Sequence, residues 1–403
     1  MKKNMQNKNY ISSERPNLFE PNVYISMVVT FSGTVSQKEL EQAVKTAYAH
    51  NEATMSKIVL EESGEAYYET MEQSGCKVFF EQRVWKELLK ESEKQPFDLK
   101  NGELIRTYII HKKEEITLFL MAHHLVGDGK SMLVLISDIV NDLSCKTLRY
   151  KPMVLINQNY LAKKSKLPIG VRMFVNKVNK KWKRKGESFT WEEYDSVHKT
   201  YWKNHSSEIT IQTYNADELK SACPDGVTLN SYLLAKLLKK FPESKVIGIP
   251  VSIREDNGAM SNQTSGVAIT YDYNPKVSLE ENAELIQKKL HKQLKNKTIK
   301  YFVLLLMAHL EPTLIDSVLL YTHNSYQNAL SQKMADIMGY TGMNRRDLGI
   351  TNLMKIDIPS EQERFKIKDI IFIPPKVSYS KQVVGIATYG EHLHIVYHLM
   401  NET

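Results

Sequence analysis

The chain has 403 residues, a formal net charge of +8 and 42% hydrophobic residues, which is more than one ordinary core needs, predicts two domains and excludes a disordered or fibrous chain. The three cysteines, Cys76, Cys145 and Cys223, are too few and too scattered for a disulfide framework or a zinc finger, and they fit a reducing cytoplasm. No apolar run reaches the roughly 18 residues of a membrane span, the polar start has no signal core, and the basic charge comes without an RNA-binding aromatic motif, so a soluble, cytoplasmic protein with no nucleic-acid partner is expected.

The first half opens with a predicted strand over 24–31, followed by Ser36 as N-cap of a helix carrying Leu40, Ala43, Val44 and Ala47. Strands and helices then alternate to Leu143. The run from Ile116 to Ala122 is apolar, rich in strand formers and too short for a helix, so it reads as a buried strand. Met132, Leu135, Ile136, Ile139, Val140 and Leu143 recur at three- and four-residue spacing, which predicts an amphipathic helix from near Ser131. Lysines and arginines crowd 161–185, yet Val171, Phe174, Val175, Val178 and Trp182 line one helical face. From about Ser196 the mixed pattern repeats, with a helix over 229–241, strands over 246–253 and 266–273, helices to about Met338, and strands over 383–388 and 392–398. The expected organisation is a first lobe over 1–160, a basic crossover over 161–195 and a second lobe over 196–403.

Between the strand and the helix of the first half stands His123-His124-Leu125-Val126-Gly127-Asp128-Gly129, an HHxxxDG string. A histidine pair at the end of a buried strand, with an Asp-Gly turn at fixed distance, suits a site where an imidazole takes a proton from a nucleophile in a shaped tunnel. Gly127 and Gly129 bracket Asp128 and allow positive φ or close approach of a ligand. Two plainer readings remain: a structural histidine pair capping the strand, and a metal site from His124 and Asp128. The second needs at least one more ligand, and no His/Cys/Asp/Glu cluster of suitable spacing stands out, so no metal is expected.

The motif, matched in full, resembles that of the chloramphenicol acetyltransferase-like superfamily, which includes nonribosomal peptide synthetase condensation domains, wax ester synthases, alcohol acetyltransferases and the plant acyltransferases. Pro96-Phe97-Asp98-Leu99 with Glu103-Leu104-Ile105-Arg106 is similar to the segment preceding the histidine strand in condensation domains. Val227-Thr228-Leu229-Asn230-Ser231 resembles the start of a second-half helix in wax ester synthases and alcohol acetyltransferases. Ile249-Pro250-Val251-Ser252-Ile253-Arg254 resembles the strand ending in arginine of condensation domains, and Thr351-Asn352-Leu353 resembles a late Ser/Thr-Asn motif. The resemblance runs from about residue 25 to the C-terminus. It lacks the Asp-Phe-Gly-Trp-Gly string of the plant branch, and no adenylation or carrier domain accompanies it.

The resemblance implies a mixed α/β (α+β) fold of two chloramphenicol acetyltransferase-like lobes, a pseudodimer around a central substrate tunnel. It implies an acyltransferase in which His124 is the general base for an alcohol or amine attacking a thioester carbonyl, without an acyl-enzyme. Asp128 would turn toward Arg254 and brace the loop, His123 would be structural, and Gly129 would let substrate or pantetheine approach. Asn352, Thr351 and Ser265 are the candidate oxyanion or substrate-binding residues. Plainer readings stand beside these: Arg254 as a surface arginine next to Glu255, Asn230 as a helix N-terminal residue, Asn352 as the end of a strand. Acyl-CoA is the expected co-substrate, with no tightly bound cofactor. A carrier-protein thioester in nonribosomal peptide, polyketide or lipid biosynthesis is the runner-up, and a non-catalytic protein binding an acyl carrier or an amphipathic ligand is the third reading. The basic segment 163–185 could be a solvated crossover, an attractor for coenzyme A phosphates or an acidic carrier protein, or a contact with an anionic membrane surface. A monomer is expected, because two lobes in one chain complete the site.

Overall fold

The computed structural model describes residues 8–112, 115–255 and 258–402. The first half contributes strands β1 (Asn9–Tyr10), β2 (Tyr24–Gly33), β3 (Ser56–Leu60), β4 (Ala66–Thr70), β5 (Lys77–Glu81), β6 (Ile105–Lys112) and β7 (Glu115–His123). The second half contributes β8 (His205–Asn215), β9 (Val246–Ser252), β10 (Thr264–Thr270), β11 (Arg346–Lys355), β12 (Phe365–Ile373), β13 (Ser380–Tyr389) and β14 (His392–Glu402). They form a small sheet of order β1-β4-β3, a five-stranded sheet β12-β2-β7-β6-β5 and a six-stranded sheet β10-β9-β11-β13-β14-β8. Helices pack on the larger sheets, giving the mixed α/β, two-lobed architecture expected from the sequence.

The elements form where the local chemistry directs. The Ile116–Ala122 run is the middle of β7 and is almost wholly buried, consistent with its unbroken apolar character. Ser36 caps the Gln37–Ala49 helix in a reciprocal box: its hydroxyl accepts from the Glu39 N–H at 3.2 Å, and Glu39 accepts from the Ser36 N–H at 2.8 Å. The helix expected near Ser131 starts two residues earlier, spanning Gly129–Leu143, because Asp128 is its N-cap and Ser131 is the residue that completes that box. In the basic segment the helix spans Ile169–Lys183, beginning after Pro168. Val175, Val178 and Trp182 are buried, and the Trp182 indole donates to Thr313 at 2.8 Å. Ile169 and Met173, by contrast, are 73% and 67% exposed. No single helix among the described residues is long and apolar enough to cross a membrane.

One strand crosses the sequence boundary near residue 196. β12 lies in the second half of the chain yet pairs antiparallel with β2, Ile370 opposite Val29, and supplies the edge of a sheet otherwise built before residue 124. The main hydrophobic core accordingly joins Val29, Leu118 and Ile136 to Val318, Ile370 and Val396. A second core under the six-stranded sheet is built around Leu234, Leu238, Ile247, Ile286, Leu348 and Ile386. A buried ion pair adds a further tie: Arg15 Nε lies 2.7 Å from Asp316 Oδ1, both residues fully buried, fixing the N-terminal segment to the Pro312–Thr322 helix.

Candidate active site

β7 ends at His123, and the chain leaves it through a short turn, His124–Val126, before the Gly129–Leu143 helix. His123 points into the first lobe. Its Nδ1 accepts from the Leu125 N–H at 3.3 Å, and its ring packs against Tyr24 and Phe97 at centroid distances of 6.1 and 5.9 Å. Burial, with the neighbouring His124 adding to it, pushes its pKa down to about 3, so it is a neutral packing and turn-closing group. Gly127 adopts φ 151° and ψ −168°, a conformation essentially reserved for glycine, and a Cβ there would sit 2.4 Å from Ser131 Oγ.

Asp128 caps the following helix, and five donors converge on its carboxylate. Oδ1 accepts from the Ser131 N–H at 3.0 Å and from Arg254 Nη2 at 2.8 Å, and the Ser131 hydroxyl at 3.0 Å shares its one proton between Oδ1 and the Ser261 carbonyl at 2.8 Å. Oδ2 accepts from the Gln263 N–H at 3.1 Å and the Thr264 hydroxyl at 2.8 Å. The Asp128–Arg254 pair is buried, with side chains 5% and 2% exposed, which removes the reading of Arg254 as a surface residue. Arg254 also donates to the carbonyls of Ala259 and Ser261 at 2.5 and 2.9 Å. The pair thus clamps the 259–264 loop of the second half onto the histidine turn of the first.

His124 is half-buried and faces a cavity of about 740 Å³ between the two halves. Burial lowers its pKa from the ordinary value, against the charge of Asp128 and a hydrogen bond to its own main-chain carbonyl, both of which act upward. It is therefore a neutral imidazole at pH 7. The Asn262 carboxamide nitrogen lies 3.2 Å from Nδ1. Asp128 and Gly129 line the same cavity from the first half, and Asn262, Thr264, Ser265, Thr351, Asn352 and Leu353 line it from the second. A Cβ on Gly129 would meet the Leu353 side chain at 2.8 Å, so the glycine keeps this part of the cavity open.

Two residues of the predicted polar lining carry hydrogen bonds to other parts of the chain. The Ser265 hydroxyl donates to the Lys300 carbonyl, so its proton is not available to a developing oxyanion. Asn352 donates through Nδ2 to Asn230 Oδ1 at 3.1 Å and accepts from the Met354 N–H at 2.8 Å, bracing an irregular stretch of β11 where Met354 has φ 65°. Only its second amide hydrogen remains free. Thr351 lines the cavity with no side-chain hydrogen bond to the described residues. Asn230 is a first-turn residue of the Leu229–Lys240 helix, as its plainer reading has it, and tethers Asn352 as well.

Two residues that the sequence did not single out belong to the site. Asn262 is the neighbour of His124, and Glu14 lines the cavity from the N-terminal segment. The Tyr68 hydroxyl lies 2.9 Å from Glu14 Oε1 and 2.8 Å from the Leu125 carbonyl, and its single proton can fully serve only one of them. A neutral Glu14 resolves the count: the carboxyl donates to the phenol and the phenol to the carbonyl. Burial, aided by the charge of Asp128, pushes the Glu14 pKa up to about 8, which agrees. Among the described residues the one His/Asp group able to converge on an ion, Asp369, His392 and His394, lies outside this cavity.

A strand, histidine turn and helix bolted by an Asp–Arg pair to a second lobe define the chloramphenicol acetyltransferase-like class of proteins. The model of the Condensation domain family matches residues 5–371, and the chain belongs to that family. The structure of polyketide synthase associated protein 5 from Mycobacterium tuberculosis is similar over 98% of this chain and 94% of that one, with a TM-score of 0.61 and 16% identity. The starter condensation domain of rhizomide synthetase RzmA, in complex with C8-CoA and Leu-SNAC, covers 98% and 89% of the two chains, with a TM-score of 0.62 and 11% identity. TRI3 trichothecene 15-O-acetyltransferase from Fusarium sporotrichioides covers 97% and 89%, with a TM-score of 0.60 and 12% identity. By sequence, 49 residues are 49% identical to polyketide synthase PksN from Bacillus subtilis (strain 168), a match over 12% of this chain and 1% of that synthase. Family membership supports a transferase role in acyl transfer or condensation.

Proposed function

We propose that the protein transfers an acyl group from a thioester, with acyl-CoA the first donor to try, directly to an alcohol or amine. The observation that carries this is a neutral His124 opening onto a cavity of about 740 Å³, a size suited to small-molecule sites. Turning the Asn262 amide so that its oxygen accepts from Nδ1–H leaves the lone pair on Nε2. Nε2 takes the proton of the acceptor O–H or N–H as that atom attacks the thioester carbon; collapse of the tetrahedral intermediate expels the thiolate, which recovers the proton from the imidazolium. Asp128, engaged by five donors, holds the turn and raises the basicity of His124 through space. The free amide hydrogen of Asn352 and the Thr351 hydroxyl are the candidate oxyanion donors. Both sides of the cavity come from one chain, so the reading includes a monomer.

A carrier-protein thioester is the second reading, favoured by one placement. Pro168, which caps the Ile169–Lys183 helix, lines the cavity, so that lysine-rich helix starts at the cavity wall and offers positive charge to an acidic carrier. The test is thiol release from a panel of acyl-CoAs and acyl-carrier thioesters with mixed alcohol and amine acceptors, for the native protein and His124→Ala. Acceptor-dependent release that vanishes in a folded His124→Ala protein is expected. Equal release from both proteins refutes the mechanism, and release only from carrier thioesters replaces the first donor with the second.

A further inference from the structure

Away from the tunnel, two histidines and a carboxylate from different sheets converge. His392 and His394 are two apart on β14, so their side chains leave the same face of the strand. Asp369 comes from β12, where the pairing with β2 shifts register between Ile367 and Asp369, a bulge of the kind that re-aims a side chain. One oxygen or ring nitrogen from each of the three lies within 4.8 Å of the others. His394 Nε2 is 2.8 Å and His392 Nδ1 3.7 Å from the same Asp369 Oδ1.

The surroundings are those of a ligand set. His394 is buried, and its other nitrogen, Nδ1, is 3.0 Å from the Thr213 hydroxyl on the adjacent strand β8, the outer contact that fixes tautomer and ring orientation in histidine metal sites. In the metal-free chain Nε2–H donates to Asp369 Oδ1; a cation that displaces this proton, with Nδ1–H turned to the Thr213 hydroxyl, takes the Nε2 lone pair and the carboxylate oxygen as two ligands. The Ile370 N–H holds Asp369 Oδ1 from behind at 2.9 Å. Tyr389, 3% exposed and opposite His392 in the β13–β14 pairing, has a hydroxyl without a hydrogen-bond partner, and the charge of Asp369 acts on it. His392 is half exposed, so water can complete the coordination.

We infer that Asp369, His392 and His394 form a binding site for a divalent transition-metal ion of the zinc class, which staples β12 of the five-stranded sheet to β14 of the six-stranded sheet. Two imidazoles and one carboxylate suit Zn²⁺ and its neighbours, whereas Mg²⁺ and Ca²⁺ require oxygen ligands. Drawing the donors to about 2.0–2.1 Å from a central ion needs only small side-chain shifts from the present spacings. None of the three residues lines the cavity, so the role is structural and independent of the tunnel chemistry.

The test uses the untagged full chain, stripped with a chelator that is then removed. Titration calorimetry with ZnCl2 should give one site per chain, and Zn²⁺ should raise the thermal midpoint while Mg²⁺ should not. His392→Ala removes a half-exposed ligand with no short hydrogen bond, so its metal-free midpoint should match the native protein while Zn²⁺ affinity falls at least tenfold and the midpoint increment disappears. Thr213→Val, which removes only the outer contact, should weaken Zn²⁺ by about 10- to 100-fold. The inference is overturned if the native protein binds no stoichiometric Zn²⁺, if His392→Ala binds it equally well, or if Mg²⁺ reproduces the shift.

Discussion

Substituting Asp128 by Asn separates a bracing carboxylate from a catalytic one. The change keeps the shape of the side chain and removes its charge, leaving the Arg254 guanidinium buried without its counter-ion. Breaking a buried pair on one side costs about 3–5 kcal/mol. The hydrogen-bond count points the same way: the carboxylate accepts from five donors, three on Oδ1 and two on Oδ2, and an amide has one accepting oxygen, so at least two donors face an N–H₂ group instead. A loss of about 3 kcal/mol or more is expected, roughly a hundredfold in the unfolding equilibrium. Urea, which is uncharged and does not screen the pair, is the denaturant of choice, applied to the native protein, Asp128→Asn, Arg254→Met and the double variant. The double variant should recover part of the loss, with a coupling of roughly 1–3 kcal/mol for residues in contact. If Asp128→Asn keeps the native midpoint while thiol release collapses, the carboxylate serves catalysis and the bracing argument fails.

Two further predictions concern the residues around His124. Asn262→Asp sets a carboxylate beside Nδ1, 3.2 Å away in the native chain, and should raise the His124 pKa by about 1–2 units, moving the acid limb of kcat/KM upward in a pH–rate profile; an unmoved limb would detach Asn262 from the base. For Glu14, the folded pKa of about 8 lies above the unfolded value of 4.5, so the unfolded chain ionises first. Stability is then lost as pH rises between those values and is level above them. Glu14→Gln stays neutral and can donate to Tyr68, so its advantage over the native protein should grow from pH 5 to pH 9, by on the order of 2 kcal/mol after allowance for partial exposure. Parallel urea curves at both pH values are the measurement, and a constant difference would mean that Glu14 is ionised in the folded state.

What could be read from the sequence was what is local to it. The HHxxxDG string, the strand before it and the helix after it depend on neighbours a few residues apart, and the boundaries differ only where Asp128, a capping residue, starts the helix early. Arg254 is 126 residues from Asp128 and was reached through the resemblance of its strand, not through any period in the chain. Glu14 and Asn262 carry no such mark: the partners that define them are Tyr68, 54 residues on, and His124, 138 residues back. The partner of Ser265 was hidden for the same reason, since the carbonyl that accepts from its hydroxyl belongs to Lys300, on a helix packed beside its strand. The group of Asp369, His392 and His394 was not legible, because it depends on a bulge in a strand distant from the two histidines.

The exchange of β12 also sets a timetable. Val29 waits for Ile370 as its partner, and at about 5–20 residues per second of synthesis the roughly 340 intervening residues take some 20–70 s to appear. Throughout that interval β2 presents an unpaired edge bearing Met27, Val28, Val29 and Phe31, an aggregation hazard of the kind sheets normally hide. The sheet of the first lobe therefore stays one strand short until residues 365–373 are made, and the strand that closes the seam ties the two lobes together.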